Sequence, residues 1–128
     1  MKKLSFVFLI SMFLLVGCGE KKVTCKIAAD GEISHYDLEV VGTVKGDKVK
    51  KVEATMTFEN NEYAGEYCEI INLLKSTLGE LKYECKDNKI TYKNYDVVVK
   101  SGTNKDLVNM SKNDFVSHFK DNGMTCEE

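Results

Sequence analysis

The chain has 128 residues, of which 18 are basic, all lysine, and 20 acidic, for a formal charge of −2. That length allows one domain, and the near-balanced charge argues against a nucleic-acid binder, which would carry a basic excess. At 43% hydrophobic and 30% charged it is neither disordered nor a multi-span membrane protein, and without arginine or tryptophan it has no guanidinium clamp and no indole platform.

Lys2 and Lys3 precede an apolar run from Leu4 to Val16. A spanning helix needs about 20 such residues, so this shorter run reads as the hydrophobic region of a signal peptide. It ends in Leu15-Val16-Gly17-Cys18, which resembles the lipobox of bacterial lipoproteins. The resemblance implies a signal peptide over 1–17, cleavage after Gly17, and a diacylglyceryl group on the Cys18 thiol. The protein would then sit on the extracytoplasmic face of the cell membrane, held through the Cys18 lipid. Residues 18–22 form a short tether, in which Lys21 and Lys22 either meet anionic head groups or merely solvate the chain. Residues 23–128 form one domain.

Val23 to Ala28 reads as a strand, and Asp30-Gly31 marks a turn. Ser34 to Val44 alternates, with Tyr36, Leu38, Val40 and Val44 on one side and His35, Asp37, Glu39 and Thr43 on the other, the pattern of a half-buried strand. Gly46-Asp47 makes a second turn. Lys48 to Glu59 alternates again, with Val52, Ala54, Met56 and Phe58 inward and Glu53, Thr55 and Thr57 outward. The period then changes: Tyr63, Tyr67, Ile70, Ile71, Leu74 and Leu78 form a helical stripe. Asn61 can cap its start and Gly79 can stop it. Leu81 to Lys86 and Lys89 to Val99 read as two strands, the second needing a bulge near Lys93-Asn94 to reconcile its parity. Lys100 to Met110 is polar and reads as a loop, with room for a helical turn at Asp106 to Met110. Ser111 caps a second helix, which buries Phe115, Val116 and Phe119 and ends at Gly123. Met124 to Glu128 fits a short edge strand. The sum is β-β-β-α-β-β-α with a short last strand: an α+β fold in which helices cover one face of an antiparallel sheet.

Once Cys18 is lipidated, Cys25, Cys68, Cys85 and Cys126 remain, an even number in an exported domain, which suggests disulfides. Of the three connectivities, geometry favours one. Cys68 lies about 15 Å back along the helix from Leu78, and Cys85 about 16 Å along the next strand from Glu80, so the two meet if the strand folds back. Cys25 then pairs with Cys126 and clasps the domain's ends. No CxxC pair occurs and no histidine sits at ligand spacing from a cysteine, which argues against zinc.

For chemistry, the sequence offers little. His35 and His118 have no serine or cysteine partner at informative spacing, and no GxSxG, HExxH or P-loop pattern occurs. No cofactor motif is present. The acidic pairs Glu127-Glu128 and Glu59/Glu62 read as solvated ends. Tyr36, Tyr63, Tyr67, Tyr83, Tyr92 and Tyr95 either line a groove between helix and sheet or pack with their hydroxyls at its rim.

Taken together, the lipobox, the short tether, the long hairpin through Lys-Val-Lys-Lys-Val-Glu-Ala-Thr, the helix, two strands and a last helix resemble the YehR-like family of small bacterial lipoproteins. The chain is similar too to cysteine-bearing Gram-positive relatives, on Thr24-Cys25, Glu66-Tyr67-Cys68, Cys85 and Met124-Thr125-Cys126. That likeness supports the two pairings and implies no catalytic residue. The expectation is a non-enzymatic envelope domain that binds a protein or small-molecule partner and no nucleic acid. The alternative is an accessory lipoprotein sensing a solute or metal ion through Asp37, Glu39 and Glu53.

Overall fold

The computed structural model describes residues 20–29 and 35–128. They form a six-stranded antiparallel sheet in the order β4-β5-β3-β2-β1-β6, together with three helices. Strand β1 spans Glu20–Ile27, β2 Tyr36–Lys45 and β3 Lys48–Phe58. Helix α1 spans Asn61–Thr77, followed by β4 (Tyr83–Lys86) and β5 (Lys89–Tyr92). Helices α2 (Tyr95–Thr103) and α3 (Lys112–Asp121) precede β6 (Thr125–Glu127). The α+β class and the single helix-covered face are as expected from the sequence. The Asp30-Gly31 turn lies outside the described residues.

The central hairpin is the longest ladder. Gly46 and Asp47 both have positive φ, 60° and 72°, as a two-residue turn of the I′ type demands. The register slips once, since Thr43 faces Lys51 while Val44 faces Val49. One extra residue on β3 thus breaks strict alternation and puts both Val49 and Val52 into the core. Strict period two from Val52 places only Val52 of the two inward.

The core lies between this sheet and the helices. Val23, Cys25, Val40, Val52, Ala54, Met56, Ile90 and Tyr92 are buried from the sheet. Helix α3 closes one end, with Phe115 and Phe119 buried and their rings 4.9 Å apart. Helix α1 closes the other, through Ala64 and Ile71, with Tyr67 against Phe58 at 5.4 Å. Helix α2 lies over β3, its Tyr95 ring 5.3 Å from that of Tyr92.

Four expectations require correction. Strand β1 starts at Glu20, not Val23, because Glu20, Lys21 and Lys22 pair with Lys45, Val44 and Thr43; backbone pairing needs no apolar side chain. The cap of α1 is Asn60, whose side chain accepts a hydrogen bond from the Tyr63 amide at 2.9 Å, not Asn61. Ile70 belongs to the helical stripe by spacing yet is 58% exposed, as is Leu73 at 72%.

The fourth concerns Lys89 to Val99. The strand ends at Tyr92 and α2 begins at Tyr95, so the parity break marks a change of element, not a bulge. Asn94 fixes the corner: its Oδ1 accepts from the Lys82 amide and its Nδ2 donates to the Glu80 carbonyl, both at 2.8 Å. The three valines 97–99 favour a strand by propensity, but packing against the core overrides that preference. The helix runs to Thr103 and ends on Asn104 at a φ of 61°, so the expected loop is shorter. No helical turn forms at 106–110. Leu107 instead plugs the core there, and the Val49 amide donates to the Met110 carbonyl at 2.8 Å.

Candidate functional site

The two disulfides are the firmest chemistry in the molecule. Cys25 faces Cys126 across the β1–β6 ladder, and their sulfurs are bonded. Cys68 on α1 is bonded to Cys85 on β4, whose pairing with Ile90 puts it on the helix-covered side. Both pairings match the expected connectivity. Their environments differ: Cys25 is wholly buried, whereas Cys85 is exposed at the sheet edge. Cys18 lies outside the described residues.

The sheet face away from the helices is polar. Alternation puts Lys26, Glu39, Thr55 and Thr91 on one cross-strand row and Asp37, Thr57 and Lys89 on the next. These rows floor a concavity of about 440 Å³ lined by Lys26, Asp37, Glu39, Thr55, Thr57 and Lys89, with Ile27 and Leu38 at its margin. Within it, Lys26 Nζ is 3.7 Å from Glu39 Oε2, and Asp37 Oδ1 accepts from the Ala29 amide at 2.7 Å. Glu53 sits further along the same face, 3.5 Å from Lys51 Nζ. The three carboxylates named from sequence thus share one face, each with its own local partner, and only Asp37 and Glu39 reach the concavity. Among the described residues no group of three or more His, Cys, Asp or Glu side chains converges to hold a metal ion. The outward threonines were legible in the alternation, but the contributions of Lys26 and Lys89 depend on strand order, which the sequence pattern does not state.

The histidines lie apart. His35 stacks on Tyr63 with ring centroids 4.3 Å apart, and its Nδ1 is 3.5 Å from Glu59 Oε2 without hydrogen-bond geometry, an ion pair only when the ring is protonated. His118 meets Phe119 edge-on at 4.8 Å; partial burial and nearby Lys105 hold its pKa below the usual histidine value, against the opposing charge of Asp121.

Tyr36, Tyr67, Tyr92 and Tyr95 cluster between α1, α2 and the sheet. The Tyr92 hydroxyl donates to Met56 Sδ at 3.4 Å. Burial first, and neighbouring tyrosines second, push the Tyr95 hydroxyl up to about 12 and raise those of Tyr67 and Tyr92. Their rings fill the space beneath the helices, so they pack the interior and do not line an open groove. Among the described residues, no helix is long and apolar enough to cross a membrane. No family model, curated protein or solved structure matches the chain significantly.

Proposed function

We propose that this chain is a lipid-anchored, extracytoplasmic bacterial lipoprotein whose stapled α+β domain binds a partner and is not an enzyme. The observation that carries the reading is the pair of disulfides, Cys25–Cys126 and Cys68–Cys85. Disulfides persist in oxidising compartments outside the cytoplasmic membrane, where a lipobox chain is delivered. With those four cysteines paired, Cys18 is the odd thiol, and it stands at the end of an apolar run of signal-peptide length. We include in this reading the kinship with the YehR-like family of small lipoproteins, to which the order of hairpin, helix and strands lends support.

Mass spectrometry of the protein extracted from membranes tests it. The expected N-terminal peptide begins at Cys18 and carries diacylglycerol. A chain retaining residues 1–17 with an unmodified Cys18 overturns the anchor. Turnover in a broad hydrolase screen, lost on His35→Ala or His118→Ala, overturns the non-enzymatic part.

A second reading is an accessory lipoprotein that takes a small polar solute. The concavity between Lys26, Asp37, Glu39 and Lys89 favours it, since it offers both signs of charge within one small hollow. Titration calorimetry with polar solutes and divalent cations checks this, and Asp37→Asn should remove any heat that arises there.

A further inference from the structure

The lysines are unevenly placed. On the first three rungs of the sheet Glu20 faces Lys45, Lys21 faces Val44, and Lys22 faces Thr43. On the far side of β2, Lys45 faces Lys48 and Thr43 faces Lys51, with Lys50 in the bulge between. Lys21, Lys22, Lys45, Lys48, Lys50 and Lys51 are therefore neighbours at one end of the sheet, and all six are exposed. Lys112 joins them, because its amide donates to the Asp47 carbonyl at 3.0 Å and its Nζ meets Glu128 at 2.7 Å. The acids at this end are Glu20, Asp47, Glu128 and Glu53, the last 3.5 Å from Lys51 Nζ. Seven lysines against four acids give this end a formal +3, while the other nine lysines and sixteen acids after residue 19 give −7.

This basic end is also the anchored end. Cys18 precedes Glu20 by two residues, at most about 7 Å of chain. The concavity lies some seven residues further along β1, or roughly 24 Å away.

We propose that this lysine-rich end is a docking surface for an anionic lipid bilayer, which sets the domain upright with its polar concavity facing away from the membrane. The inference rests on the proposed Cys18 lipid for proximity, and on the charge distribution for orientation. A lipid alone tethers a domain without orienting it, whereas a polybasic surface beside the lipid supplies the second signal that stable membrane association uses. Each lysine close to an anionic surface contributes attraction equivalent to about a fivefold change in equilibrium, and the effect fades within a screening length of ~8–10 Å. Lysines on the first three rungs lie within that range when the end faces the lipid, and the acidic remainder of the domain is repelled from it.

Lysine footprinting by acetylation tests this. The full chain, purified from the membranes of an expressing bacterium, is placed in vesicles of phosphatidylglycerol and phosphatidylcholine, or of phosphatidylcholine alone. On the anionic vesicles Lys21, Lys22, Lys45, Lys48, Lys50 and Lys51 should react about fivefold more slowly than on the zwitterionic ones, while Lys86 and Lys89 react alike on both. High salt should abolish the difference. In the Lys45→Gln/Lys48→Gln/Lys50→Gln variant, with both disulfides verified by mass as evidence of folding, Lys21 and Lys22 should lose most of their protection. Equal rates on the two vesicles, or protection centred on Lys86 and Lys89, overturns the proposal. The intact mass of the same sample tests the anchor separately: an unmodified Cys18 with these lysines still protected supports the docking surface and rejects the lipid.

Discussion

The ring of Phe115 on α3 lies directly over the backbone of Gly42 on β2, so closely that a Cβ at residue 42 would sit 2.6 Å from Phe115 Cζ. The missing side chain lets α3 settle onto the sheet at that end. Gly42→Ala should therefore cost about 1–3 kcal/mol by overpacking, and Phe115→Ala about 3–5 kcal/mol through lost burial and a cavity. Combining Gly42→Ala with Phe115→Leu should recover part of the loss, because the smaller side chain frees the space. Urea unfolding midpoints of the single and double variants check the coupling.

The cap of α1 separates two adjacent asparagines. Asn60→Ala should lower stability by about 0.5–2 kcal/mol, since it removes the acceptor for the Tyr63 amide. Asn61→Ala, one position inside the helix, should leave stability nearly unchanged. Thermal unfolding of the two variants distinguishes them.

The two disulfides should differ in both lability and worth. A mild dithiol should open Cys68–Cys85 first, because Cys85 is exposed while Cys25 is fully buried. Alkylation of new thiols followed by peptide mapping reads the order. On the chain-entropy model, replacing Cys25 and Cys126 by alanine should cost about 4–5 kcal/mol, and replacing Cys68 and Cys85 about 3, in line with separations of 101 and 17 residues.

High pH should unfold the protein through its tyrosines. Tyr95 holds its proton up to about 12 and Tyr67 is raised in the same sense, so the unfolded chain releases these protons first, from the ordinary value of 10.0. Their contribution is whole below that value and is lost as pH rises from 10.0 towards about 12. Denaturant midpoints should fall across that window, and tyrosinate absorbance should rise with the loss of helical circular dichroism.

The parts of the fold that rest on a local period were legible in the sequence. The alternation of Val40, Ala54 and Met56, the stripe through Tyr67 and Ile71, and the cap at Ser111 all emerge in the structure. Where two periods met, the pattern was ambiguous. The broken parity at Lys93-Asn94 is equally a bulge or a corner, and only the hydrogen bonds that Asn94 donates to Glu80 and accepts from Lys82 decide it. Ile70 shows the limit of a stripe, because it points about 100° around the helix from the buried Ile71 and stays 58% exposed. The concavity and the lysine end were harder still, since each gathers residues from strands distant in sequence. The disulfides were readable because a covalent constraint turns two helix and strand lengths into a distance.

The bond between Cys25 and Cys126 closes nearly the whole domain into one covalent ring. A protease that cuts a single peptide bond anywhere between those residues opens the ring without dividing the molecule. The fragment ending at Glu128 stays joined to the segment that bears Cys18. For the lipid-anchored chain proposed above, such a nick would leave the domain in place, and shedding it would take a second cut or a reductant.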